Sequence, residues 1–103
     1  MLQLKPGMRL RSAVCTTEMV VVRAPKVAVT VECGGTPMLP HGTQPPAGLS
    51  LASEFSAGTQ VGKRYADETT GLELLCSKAG NGSLSIDGKP VAVKDAKKLP
   101  SSD

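Results

Sequence analysis

Three cysteines, one histidine and a Lys-Arg-Tyr run are the residues of this 103-residue chain best equipped for chemistry. Cys15 follows Ala13-Val14 and precedes Thr16-Thr17. Cys33 follows Val31-Glu32 and precedes Gly34-Gly35, and Cys76 follows Leu74-Leu75 and precedes Ser77-Lys78-Ala79-Gly80. Each thiol stands where an apolar stretch gives way to small turn residues. Such junctions can gather at one end of a small barrel, so their placement predicts that the three thiols converge. His41, the only histidine, would complete a set of three cysteines and one histidine, donor chemistry that suits tetrahedral zinc.

A blander reading competes with this one. Free cysteine is among the most buried residue types and packs as a small hydrophobe. No CxxC occurs, and close pairs are what mark the familiar zinc ribbons. A third reading makes one cysteine a nucleophile activated by His41. That histidine sits in a Pro/Gly stretch with no visible orienting partner, so enzymatic chemistry is the weakest of the three.

Gly62-Lys63-Arg64-Tyr65 offers two adjacent cations beside the only tyrosine, a group able to grip an anion or an acidic partner. In an extended segment Lys63 and Tyr65 share one face and Arg64 takes the other. A solvated strand face, with Tyr65 at the core or its rim, therefore weighs more. Asp67-Glu68 reads as a hairpin turn and not as a hydrolytic carboxylate pair. Gly80-Asn81-Gly82 is hairpin chemistry, and neither it nor Gly34-Gly35 opens a helix with the lysine and hydroxyl of a phosphate cradle.

The elements that must position these residues show alternation, not helical spacing. Met8, Leu10 and Val14 share a face opposite Arg9 and Arg11. Glu18 to Ala24 reads as a more buried strand, hairpin-paired with the first. Val27, Val29, Val31 and Cys33 alternate with Ala28, Thr30 and Glu32. Beyond Gly35 the prolines 37, 40, 45 and 46 mark an irregular connector. Strand patterns return at 60–65, 72–76, 83–86 and 91–93, separated by Asn81-Gly82 and Asp87-Gly88 turns.

Composition bounds the function. Apolar residues make up 40% and aromatics 2%, so the core is aliphatic and thin, a reason to expect self-association. A net charge of +3, with its cations dispersed, argues against nucleic acid. The first residues lack the pattern of a secretion signal, and no apolar run nears the ~18 residues of a membrane span. An odd number of widely spaced cysteines indicates a reducing compartment, the cytoplasm.

The sequence thus predicts an all-β fold: a small antiparallel barrel or sandwich of six to seven short strands. One domain should cover 1–95, with an irregular connector at 36–59 and a flexible polar tail at 96–103. Two hairpin groups flank the connector with a loose twofold logic, short of a recognisable repeat. The expected function is a cytoplasmic binding or accessory module holding a structural zinc ion through Cys15, Cys33, Cys76 and His41. The alternative is a metal-free structural or interaction protein, homo-oligomeric, with packing cysteines only. In either case the partner is a protein or a second copy, contacted through Lys63, Arg64 and Tyr65, and neither nucleic acid nor a membrane.

Overall fold

A computed structural model describes residues 3–93; the expected tail at 96–103 and the last two residues of the expected domain lie outside them. The described chain is all-β, with two antiparallel sheets and a single 3-10 turn at Ser53–Phe55. The first half supplies β1 (Arg9–Arg11), β2 (Glu18–Arg23), β3 (Val31–Cys33), β4 (Thr36–Pro37) and β5 (Leu39–Pro40). The second half supplies β6 (Arg64–Ala66), β7 (Glu73–Lys78), β8 (Leu84–Ile86), β9 (Lys89–Pro90) and β10 (Ala92–Val93).

One sheet runs β10-β6-β7-β2-β1-β5 and the other β4-β3-β8-β9. Exchanging β1–β5 with β6–β10 in order reproduces both sheets, so the chain has a pseudo-twofold axis through the β2–β7 and β3–β8 pairs. The hydrogen bonds repeat it. Gly7 N–H donates to Val21 O at 2.7 Å and Gly62 N–H to Cys76 O at 2.9 Å. Val21 N–H donates to Met8 O at 2.8 Å and Cys76 N–H to Lys63 O at 3.0 Å. Across the axis, Gly34 N–H donates to Ser83 O and Asp87 N–H to Thr30 O, both at 3.0 Å. The twofold logic of the sequence is thus a property of the fold.

Gly34 and Asp87 occupy matching corners with φ of 67° and 50°. This left-handed region suits glycine, and aspartate tolerates it better than most residues. Asp87 adds a hydrogen bond of its own, its Oδ1 accepting from Thr30 N–H at 2.9 Å.

The alternation read from sequence holds in the ladders. In β7 Leu74 and Cys76 face inward as expected, whereas β2, read as a more buried strand, alternates as well: Met19 and Val21 face inward and Val22 is 38% exposed. Val29, Val31 and Cys33 are buried as expected, but pairing begins only at Val31, and Val27 is 61% exposed. Leu10, Met19, Leu72, Leu74 and Leu84 are fully buried, each contributing roughly 1.5–3 kcal/mol. They belong to one cluster that draws on both sheets.

Two expectations need correction. There are ten short strands among the described residues, not six or seven. The segment 36–40, assigned to the connector, forms β4 and β5, which pair with β3 and β1. Proline hid them: it cannot donate to a ladder, but it is tolerated where the missing donor faces outward on an edge strand. Three of the four sheet edges, β4, β5 and β9, end in Pro37, Pro40 and Pro90. Apart from these two points, the described strands form two antiparallel sheets whose pairings close no barrel.

Candidate thiol site

Cys15 lies in the bend 13–16 that joins β1 to β2, and Cys33 is the last residue of β3. Their sulfurs are 3.7 Å apart, although the bend joins strands of one sheet and Cys33 belongs to the other. The bend is shaped by Ser12, whose fully buried Oγ accepts the N–H groups of Val14 and Cys15, each at 3.1 Å. The Cys15 S–H is in donor range of the same Oγ at 3.3 Å, and once that sulfur is ionised only the Ser12 hydroxyl hydrogen can make the bond. Thr17, also fully buried, places Oγ1 at 3.3 Å from the same sulfur.

Behind Thr17 stands a second hydroxyl. Thr59 Oγ1 lies 3.0 Å from Thr17 Oγ1 and accepts Gly80 N–H at 3.1 Å. Thr59 also hydrogen-bonds the thiol of Cys76, whose S–H reaches Lys78 O at 3.3 Å. A line of small polar groups thus runs through the interior from Ser12 past Cys15, Thr17 and Thr59 to Cys76. Every buried side-chain nitrogen or oxygen of the described residues has a partner. Burial of these hydroxyls is therefore compensated, as a low-dielectric interior requires.

The surroundings divide the thiols. For Cys15, burial works to raise the pKa, but hydrogen bonds from Ser12 and Thr17 and backbone contacts at Thr17 and Gly82 outweigh it, and the value falls from 9.0 to about 7. A sulfur anion gains more from donors than a neutral thiol does. Cys33 is completely buried, and desolvation, with the adjacent Cys15 charge, pushes its thiol up to about 12. Burial also raises Cys76. At neutral pH the half-buried Cys15 is partly ionised, and its neighbour is a protonated, enclosed thiol.

Glycine makes the close packing possible. A Cβ on Gly80 would run into Thr17 Oγ1 and stand 3.0 Å from the Cys15 sulfur. A Cβ on Gly82 would stand 3.1 Å from the Cys33 sulfur and 3.0 Å from Gly34 N. The turn read from Gly80-Asn81-Gly82 therefore also forms a wall of the site. On the solvent side, Cys15 opens into a cavity of about 170 Å³ lined with Arg11, Thr16, Thr17, Glu18 and Lys78.

Of the residues proposed from sequence, Cys15 and Cys33 meet directly. Cys76 connects to them through Thr59 and sits within β7, not at a strand-to-turn junction. His41 is elsewhere: its N–H donates to Arg9 O at 2.9 Å and its Nε2 lies 3.7 Å from Glu18 Oε1. Among the described residues, no group of three or more His, Cys, Asp and Glu side chains is placed to hold a metal ion. Lys63 and Arg64 are exposed, whereas Tyr65 is buried and accepts Gln60 N–H at its hydroxyl at 3.0 Å. Burial raises the Tyr65 pKa.

Ser12, Thr17 and Thr59 were missed. Their sequence signal is faint, a Ser-x-x-Cys-x-Thr spacing around a predicted bend, where hydroxyl residues commonly bond nearby backbone. The pseudo-twofold mate shows how little the fold demands a thiol. Ser12 N–H donates to Thr17 O, and Asp67 N–H to Leu72 O. In that second bend Thr70 stands at the Cys15 position, donating to Asp67 Oδ2 at 2.6 Å, and Ile86 stands at the Cys33 position.

No helix of the described residues is long and apolar enough to cross a membrane. No family model matches the chain, and comparison with curated proteins and with solved structures gives no significant match.

Proposed function

We propose that the protein is a small binding or accessory module whose working group is the Cys15 thiol, held against Cys33 and reactive toward soft electrophiles at neutral pH. One observation carries this reading: the only one of the three cysteines that is not fully enclosed is also the one whose sulfur has two buried hydroxyls at 3.3 Å. Thiolates, not thiols, are the nucleophiles, and their formation is favoured by donors of this kind. A reducing compartment such as the cytoplasm suits a module that works through free thiols. The test is the rate of Cys15 alkylation by iodoacetamide as a function of pH. Rates already half-maximal near pH 7 support the reading; a half-point near that of an ordinary thiol removes it.

The metal reading has one specific observation in its favour. Two sulfurs on a tetrahedral zinc ion, with bonds of ~2.3 Å, stand about 3.8 Å apart. Cys15 and Cys33 are separated by 3.7 Å. The remaining positions would fall to Cys76 and His41 after rearrangement, or to ligands from outside the chain. Elemental analysis of protein never exposed to chelator decides it: near one equivalent of zinc per chain supports a metal site, and a small fraction of that removes it.

We read the scaffold as a sandwich of the two sheets. Its partner, protein or second copy, would approach a face and not an edge. Val22, Val27 and Val61 are exposed, whereas prolines blunt three edges. Lys63 and Arg64 remain the charged contacts proposed for that surface.

A further inference from the structure

We propose that Cys15 is the point of attack for a hydroperoxide and that Cys33 then closes a disulfide onto it. This rests on the reading of Cys15 as the working thiol and gives that site its substrate class. Three placements support it. Cys15 lines a cavity of about 170 Å³, which at ~30 Å³ per water is room for a small polar head but not for a folded partner. Arg11 and Lys78 line that cavity, with Glu18 as the opposing charge. The Cys33 sulfur lies 3.7 Å from that of Cys15, in a completely buried residue.

The chemistry balances in two steps. The Cys15 thiolate attacks the outer oxygen of ROOH; the S–O bond forms, the O–O bond breaks, and RO⁻ leaves beside the Arg11 and Lys78 cations, taking a proton to become an alcohol or water. Cys15 is then a sulfenic acid, oxidised by two electrons while the peroxide is reduced by two. Next the Cys33 sulfur attacks Cys15 Sγ. The S–S bond forms, the S–O bond breaks, and the departing hydroxide takes the Cys33 proton and leaves as water. The Ser12 and Thr17 hydroxyls lie 3.3 Å from the Cys15 sulfur at which that exchange takes place.

The sulfurs must close from 3.7 Å to ~2.05 Å. The movement falls to Cys15, which lies in a bend outside either ladder, since Cys33 is held by β4 and β8 on both sides. Formation of the disulfide places the reactive sulfur beyond further oxidation.

The experiment treats the reduced full-length chain with one equivalent of hydrogen peroxide, followed by intact mass and non-reducing peptide mapping. The expected product is lighter by two hydrogens, carries a Cys15–Cys33 crosslink and returns to the starting mass with dithiothreitol. Cys76→Ser should leave this unchanged, and Cys15→Ser should slow oxidation by at least about tenfold. Cys33→Ser should leave Cys15 carrying added oxygen. Should that variant not fold, dimedone added to the native chain during oxidation should trap a sulfenic acid at Cys15 and none at Cys33. A native chain ending with oxygen on Cys15, or crosslinked through Cys76, overturns the proposal. Rapid alkylation of Cys15 without any disulfide overturns it alone; no fast chemistry at Cys15 of either kind removes both it and the reading beneath it.

Discussion

Ser12 holds Cys15 at both ends: its Oγ accepts the Cys15 N–H at 3.1 Å and lies 3.3 Å from the Cys15 sulfur. One buried hydroxyl thereby fixes the bend that carries the thiol and supplies a donor to its anion. Shape and reactivity at this site have a common origin.

Ser12→Ala should separate from a mere packing change for that reason. The variant leaves the Val14 and Cys15 N–H groups without their acceptor and should lose about 1–2 kcal/mol of stability. It should also move the alkylation midpoint of Cys15 upward from about 7, toward 9.0. Denaturant titration and the pH profile of alkylation check the two parts separately.

Gly80→Ala should destabilise the fold by about 1–3 kcal/mol, because the added methyl falls on Thr17 Oγ1 and N and presses on the Cys15 sulfur. The same change at Gly88, which faces open space, lacks that collision and carries only the cost of its left-handed φ of 84°. Thermal melts of the two variants should rank them in that order.

Stability should depend on pH in two opposing ways. The Cys15 pKa is depressed in the fold, so the folded chain binds fewer protons there than the unfolded chain; the resulting stabilisation is complete above about 9 and disappears as pH falls through about 7. Cys33 is shifted up to about 12, so its contribution is complete below about 9 and is lost as pH rises toward 12. Urea midpoints should rise from pH 6.5 to 8.5 and decline beyond, within any alkali-stable range. Cys15→Ser should abolish the rise and keep the decline.

The halves should remain together after the chain is cut between them. Residues 41–50 are mostly exposed and form no strand, whereas the β2–β7 and β3–β8 ladders join one half to the other. Limited proteolysis should nick this stretch first. The nicked protein should elute as one species in size exclusion, and dissociation without denaturant would contradict the pairing.

Much of the fold was legible because alternation is a direct consequence of two-residue periodicity. Leu74 and Cys76 could hardly face anywhere but inward, whereas in Met19-Val20-Val21-Val22 every residue is apolar and only strand pairing turns Met19 and Val21 in. The strands at 36–40 were hidden because Pro37 and Pro40 read as breaks until an edge is available to receive them. Cys33 was rightly singled out at the end of its strand, and its expected meeting with Cys15, eighteen positions earlier, rested on strand-to-turn placement alone. That meeting is made by β1 and β3 belonging to different sheets, a long-range fact. The hydroxyls of Ser12, Thr17 and Thr59 were passed over because such residues are usually solvent-facing. Here they surround buried sulfur, and their burial is visible only in three dimensions.

The most direct test is the pH profile of Cys15 alkylation in the native chain, read residue by residue by mass spectrometry. Cys15 should react with a midpoint at about pH 7, while Cys33 and Cys76 stay protected until the protein unfolds. A midpoint near 9.0 for Cys15, or equal reactivity of all three sulfurs in folded protein, would contradict a thiol activated by its hydroxyl neighbours.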